Sequence, residues 1–142
     1  MSTLPRPIDV LAHREPFLFV TEVTALEPGV KVSATWKLTG DEWFWAGHFP
    51  GRPTLPGVLM VESLAQVGAI GVLTDERFAG KLPMLAGVDG ARFRRQAVPG
   101  DTLELSVELG RLSGRAGKGS GRVLVDGHLA CEADLLFVLA DL

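Results

Sequence analysis

Gly47-His48-Phe49-Pro50-Gly51-Arg52-Pro53-Thr54-Leu55-Pro56-Gly57 runs directly into Val58-Leu59-Met60-Val61-Glu62-Ser63-Leu64-Ala65-Gln66 and on to Leu73. Glycine and proline crowd the first part, which sets turns and forbids a regular element. From Val58 to Leu73 apolar residues fall on almost every side of a helix. A helix that is apolar all round is wrapped by other elements rather than laid on a surface. At about 1.5 Å per residue it is roughly 24 Å long, enough to cross a small domain. Gly68 and Gly71 are poor helix formers, but they permit a neighbouring backbone to approach closely. Glu62 and Gln66 interrupt the run, leaving it too short and too polar to span a bilayer comfortably.

Outward from this helix the chain reads as strands. Asp9 is placed to cap a short turn over Val10-Leu11-Ala12. Phe17 to Val23 is rich in β-formers and reads as a strand. After the Glu27-Pro28-Gly29 turn, Val30, Val32, Ala34, Trp36 and Leu38 alternate with polar residues, the mark of a half-buried antiparallel strand. Asp75-Glu76-Arg77 marks a solvated exit from the helix. Further strands are expected over Met84 to Phe93 and over Leu103 to Leu109. Gly114 to Gly121 reads as a flexible, glycine-rich hairpin connection. Val123-Leu124-Val125 turns through Asp126-Gly127, a strong hairpin signal, into Leu129 to Leu139. There Leu129, Cys131, Ala133, Leu135, Phe137 and Leu139 share one face, while Leu136 and Val138 make the end apolar on both. The expectation is an α+β fold in one domain spanning residues 1–142: a curved antiparallel sheet of about six strands around one long central helix.

The bulk properties narrow the function. A net charge of −3 gives no reason to expect nucleic acid as a partner. The first seven residues lack the apolar core of a signal peptide, and a single cysteine, Cys131, suits a reducing compartment, so a cytoplasmic location is expected. No Cys/His cluster has metal-ligand spacing. No Gly-x-Ser-x-Gly element supports a serine hydrolase. Gly114 to Gly121 resembles a phosphate loop at a glance, but Leu112 and Gly119 stand where the pattern needs Gly and Ser or Thr.

Few residues remain that could carry chemistry. His48 is flanked by Gly47, Pro50, Gly51 and Pro53, which fix the backbone and present the ring rigidly, as a general base requires; the plainer reading is a structural histidine. Glu62 has Leu59, Met60, Val61, Leu64 and Ala65 around it. An ionised carboxylate there costs several kcal/mol unless paired, which favours a neutral, proton-donating acid. Gln66, one turn on, can hydrogen-bond and orient it, or the two can be a buried polar pair that only fixes packing. Gly57 falls where the helix begins, where free N–H groups and the helix dipole can stabilise an oxyanion. Phe49, Pro56, Val58 and Gln66 are read with it as substrate-contacting positions. His13 and His128 are isolated and read as ordinary. Arg92, Arg94 and Arg95 form a basic group in an acidic chain, either a solvated strand face or a docking patch for an acidic partner.

Together, Gly47 to Pro53, Leu55 to Leu59 and Glu62 to Gln66 closely resemble the active-site segment of the β-hydroxyacyl-acyl carrier protein dehydratases, and within them the FabZ type. His13 to Leu18, Leu85 to Phe93, Val98 to Asp101, Val125 to Gly127 and Cys131 to Ala133 also match the family's ordered motifs. The resemblance implies the hotdog fold and a homodimer, commonly a trimer of dimers, with His48 of one subunit and Glu62 of the other in each site. It implies reversible dehydration of (3R)-3-hydroxyacyl thioesters on acyl carrier protein, without a cofactor or metal, in fatty-acid synthesis. His48 would remove the C2 proton, Glu62 would protonate the leaving hydroxyl, the Gly57 N–H would polarise the carbonyl, and the acyl chain would lie in an apolar tunnel along the helix. The related dehydratase-isomerases generally carry aspartate where this chain has Glu62. The chain also departs from the pattern: Pro83-Met84 stand where many relatives have an aromatic gate, and Gly40-Asp41 replace the usual asparagine. The alternatives are a hotdog thioesterase, a dehydratase for CoA or polyketide thioesters, and a non-catalytic acyl-binding protein.

Overall fold

The computed structural model of the chain describes residues 3–141. The central helix spans Gly57–Leu73, preceded by a single turn of helix at Pro7–Val10. In chain order we call these α2 and α1. The strands are β1 (Glu22–Glu27), β2 (Lys31–Lys37), β3 (Lys81–Phe93), β4 (Thr102–Leu112), β5 (Ala116–Val125) and β6 (His128–Asp141). All six lie in one sheet in the order β1-β2-β4-β5-β6-β3, and each neighbouring pair is antiparallel. The strand number and the single wrapped helix match the sequence expectation.

From Leu59 to Val72, every residue of α2 except Glu62 is buried. The helix is sunk deep enough that glycine is required at its contacts with the sheet. A Cβ on Gly68 would lie 2.7 Å from Phe137 Cζ on β6, and one on Gly71 would lie 2.7 Å from Val32 Cγ2 on β2. The sheet makes room in the same way. A Cβ on Gly121 of β5 would lie 2.9 Å from Leu64 Cδ1 of α2.

That last contact corrects the sequence reading of residues 114–121. They are not a flexible connection: from Ala116 onward they form β5, paired residue for residue with β6 and, across an irregularity between Leu109 and Leu112, with β4. Gly117, Gly119 and Gly121 are its inward positions, buried in alternation with exposed Lys118, Ser120 and Arg122. The alternation is regular, but its inward members have no side chain to show it.

Four smaller corrections follow from hydrogen bonding. β1 begins at Glu22, not at Phe17. The backbone of residues 17–19 is bonded instead to helix side chains: Ser63 Oγ donates to the Phe19 carbonyl at 2.7 Å, the Phe19 N–H donates to Gln66 Oε1 at 2.8 Å, and Gln66 Nε2 donates to the Phe17 carbonyl at 3.0 Å. Asp9 lies inside α1 and binds the Arg6 guanidinium rather than capping residues 10–12. The exit of α2 is only partly solvated, because Glu76–Phe78 forms a 3-10 turn that buries Phe78. In β6 the pairing slips between Val123 and Leu124, so Ala130 is an extra residue that is buried while Leu129 is only half-buried. The inward row therefore starts at Cys131.

Strand β3 is an edge of the sheet and carries exposed Met84, Leu85, Val88 and Phe93. Among the described residues, no helix is long and apolar enough to cross a membrane.

Candidate active site

The His48 loop is held by backbone bonds at each end. The His48 N–H donates to the Trp45 carbonyl at 3.2 Å, and the Thr54 N–H donates to the His48 carbonyl at 2.7 Å. Between them Phe49 and Arg52 exchange two backbone hydrogen bonds, a turn that puts Gly51 at φ 74°. The Leu55 N–H donates to the Ala97 carbonyl at 2.8 Å, tying the loop to the segment after β3.

The ring is fixed too. His48 Nδ1 lies 2.8 Å from the Thr54 carbonyl oxygen, and the Phe49 ring stacks on the imidazole with centroids 4.1 Å apart. A carbonyl can only accept, so Nδ1 carries the proton and Nε2 keeps its lone pair in the neutral ring. The loop thus presents a base with a defined basic nitrogen.

Glu42, which the sequence reading did not single out, anchors the segment leading into this loop. Its carboxylate accepts from Trp45 Nε1 at 2.7 Å, Gly40 N at 2.9 Å, Thr39 N at 3.0 Å and Thr39 Oγ1 at 2.9 Å. Burial alone would raise its pKa; the donors from Trp45, Thr39 and Gly40 outweigh that and carry it down to about 2. Nothing in the local sequence marks Glu42 beyond a Trp three residues on.

Pro56 stands at the N-cap of α2 and Gly57 is its first residue. The first N–H groups of a helix have no intrahelical acceptor, so this end can bind an oxyanion. Two open hollows meet here. One, of about 540 Å³, is lined by His48, Thr54, Gly57, Val58, Phe93 and the two arginines Arg94 and Arg95. The other, of about 390 Å³, is lined by His48, Pro56 and Val58 with Trp43, Phe44 and Leu59. The rim is apolar and open: Val58 is 71% exposed, Trp43 59% and Phe93 53%, while Phe49, which lines neither hollow, is 51% exposed beside the His48 ring. Phe93 covers Gly57 so closely that a Cβ there would lie 2.9 Å from its ring.

Glu62 sits elsewhere. It lines neither hollow, and its carboxylate meets Gln66 and His13 rather than His48. Gln66 Nε2 donates to Glu62 Oε2 at 3.0 Å, and His13 Nε2 lies 3.5 Å from the same oxygen. The apolar residues that flank Glu62 in sequence face the core from other sides of the helix, so the carboxylate has polar neighbours and is only partly covered. His13 is therefore not isolated. A signal was present in the sequence, since His13 opens the N-terminal motif, but no spacing rule ties it to Glu62.

The three arginines separate. Arg94 and Arg95 stand at the wall of the His48 hollow, with Arg94 3.2 Å from Glu132 Oε1 and Arg95 3.6 Å from Asp126 Oδ2. Arg92 lies outside it, and its guanidinium donates to the Ala91 carbonyl. Among the described residues, no group of three or more His, Cys, Asp or Glu could hold a metal ion.

A six-stranded antiparallel sheet wrapped round one buried helix, with a histidine loop leading into the helix, is a hotdog-fold domain. The family model for the FabA-like domain matches residues 11–134. A 3-hydroxyacyl-[acyl-carrier-protein] dehydratase FabZ of Moorella thermoacetica is 48% identical over 132 residues, 93% of this chain and 92% of that one. The FabZ of Chloroflexus aggregans is 46% identical over 141 residues, 99% of this chain and 98% of that one. The chain belongs to the FabZ family. A solved dehydratase heterocomplex from Xenorhabdus doucetiae superposes with a TM-score of 0.84 over 98% of this chain and 93% of that one, at 17% identity, which establishes the fold.

Proposed function

We propose that this chain reversibly dehydrates (3R)-3-hydroxyacyl thioesters of acyl carrier protein to the trans-2-enoyl thioesters, as in fatty-acid synthesis. The observation that carries the residue assignment is the 2.8 Å bond from His48 Nδ1 to the Thr54 carbonyl, which leaves Nε2 as a base. His48 Nε2 takes the C2 proton, and the electron pair moves toward the thioester carbonyl. The Gly57 N–H, at the positive end of α2, stabilises the charge that develops on that oxygen. The C3–O bond then breaks as Glu62 gives its proton to the departing hydroxyl, releasing water. Phe49, Pro56 and Val58 bound the acyl thioester, and Gln66 orients Glu62. The thioester itself acidifies the C2 proton, so the reaction draws on no cofactor or metal.

Two copies are needed for this. The base and the acid of one chain do not meet, whereas the exposed apolar edge strand β3 and the apolar rim around Val58 offer a surface for a second copy. In that homodimer, His48 of one protomer works with the partner's Glu62, and the acyl chain runs between the protomers along α2. Three such dimers would form a hexamer, readable by light scattering. Arg94 and Arg95 beside the hollow receive the acidic carrier protein. The setting is the cytoplasm.

Mixing subunits tests the reading. Wild type should hydrate crotonyl-carrier protein, while His48→Ala and Glu62→Gln should each be near background. Unfolded together and refolded, the two variants should recover about a quarter of wild-type activity, since random pairing yields half heterodimers, each with one intact site. No recovery from a refolded mixture would refute the shared site. Release of free thiol in place of the 3-hydroxyacyl thioester would instead favour the thioesterase alternative.

A further inference from the structure

We propose that His13 is a positioning residue for the acid, and that with Gln66 it fixes Oε1 of Glu62 as the oxygen that gives up the proton. The inference rests on the dehydration reading above and adds a residue to it. Both neighbours of the carboxylate converge on one atom: Gln66 Nε2 at 3.0 Å and His13 Nε2 at 3.5 Å approach Oε2. Among the described residues no hydrogen bond reaches Oε1, and that atom is not sealed in the interior. A protonated carboxyl has one oxygen that accepts and one that donates. Donors on Oε2 select it as the carbonyl oxygen and leave the O–H on Oε1.

The orientation of each donor is set from outside the site. Gln66 Oε1 accepts from the Phe19 N–H, so its NH₂ must face the Phe17 carbonyl and Glu62. His13 Nδ1 is buried without a hydrogen-bond partner. An N–H on Nδ1 would be buried and unpaired, which is costly, so the N–H that the ring offers lies on Nε2, facing Glu62. The backbone beneath it is held as well, because Arg14 donates to the carbonyls of Leu11 at 2.8 Å and His13 at 2.7 Å. At 3.5 Å the His13 contact is long for a hydrogen bond, as catalytic contacts in unliganded sites often are, and it closes as the substrate hydroxyl draws on Oε1.

Two replacements separate positioning from filling space. Gln at residue 13 reaches the place of Nε2 with a neutral N–H donor; Asn reaches only the place of Nδ1. His13→Gln should keep kcat within about threefold of wild type, whereas His13→Asn should lower kcat by about 10- to 100-fold with KM changed less than twofold. Equal kcat in the Gln and Asn variants would overturn the proposal, as would a loss carried by KM. A wild-type enzyme without dehydratase activity would instead overturn the functional reading beneath it.

Discussion

Glu42→Gln should loosen the His48 loop and cost stability in a pH-dependent way. The Glu42 carboxylate, ordinarily near 4.5, is held at about 2 by the donors from Trp45, Thr39 and Gly40. By linkage at about 1.4 kcal/mol per pH unit, that difference is worth at most roughly 3.4 kcal/mol. Glu42 is only half-buried, and solvent screens part of this, so we take about 1.5–2 kcal/mol. Gln cannot recover it: Oε1 receives the N–H groups of Trp45 and Gly40 and Oε2 that of Thr39, so an amide NH₂ on either side faces donors. The folded pKa is depressed, so the stabilisation is complete above about pH 4.5 and is lost as the pH falls toward 2. Urea unfolding at fixed protomer concentration should place the variant about 1.5–2 kcal/mol below wild type at pH 7, and within about 0.5 kcal/mol of it near pH 2. Because the Trp45 carbonyl receives the His48 N–H, kcat should fall as well. A variant as stable as wild type at pH 7, or a deficit unchanged between pH 7 and pH 2, would refute the argument.

Two other perturbations read separate parts of the molecule. Gly121→Val would drive a branched side chain into Leu64, where even a Cβ lies at 2.9 Å, and should cost about 2–3 kcal/mol in urea unfolding, whereas Ser120→Val on the outer face of the same strand should cost under about 1 kcal/mol. Arg94→Glu and Arg95→Glu, at the wall of the His48 hollow, should raise KM several-fold for carrier-protein substrates, less for the matching CoA thioesters, and less at high salt; equal effects on both substrate types would reject the docking role.

Where local side chains announce their surroundings, the sequence was readable. Alternation over Val32, Ala34 and Trp36 gave β2, and Asp126-Gly127 gave the last hairpin, with Asp126 at φ 52° and Gly127 at φ 75°. Where the message lay in a missing side chain, or in bonds that cross the fold, it was not. Gly117, Gly119 and Gly121 form an inward row that no hydrophobic pattern can register. Phe17 to Val20 have the composition of a strand, but Ser63 and Gln66 capture the backbone of Phe17 and Phe19.

The sequence by itself determined that one apolar helix is enclosed by a sheet, and that a histidine in a stiff loop and a carboxylate in that helix are the groups to test. Both follow from local chemistry: hydrophobic periodicity, proline and glycine stiffness, and the rarity of charge in an apolar run. Only the tertiary structure decided that His48 Nδ1 is engaged by Thr54, that Glu42 anchors the loop, and that Glu62 looks toward His13 and Gln66 instead of His48. Those relations join residues through the path of the folded backbone, and no spacing along the chain encodes them.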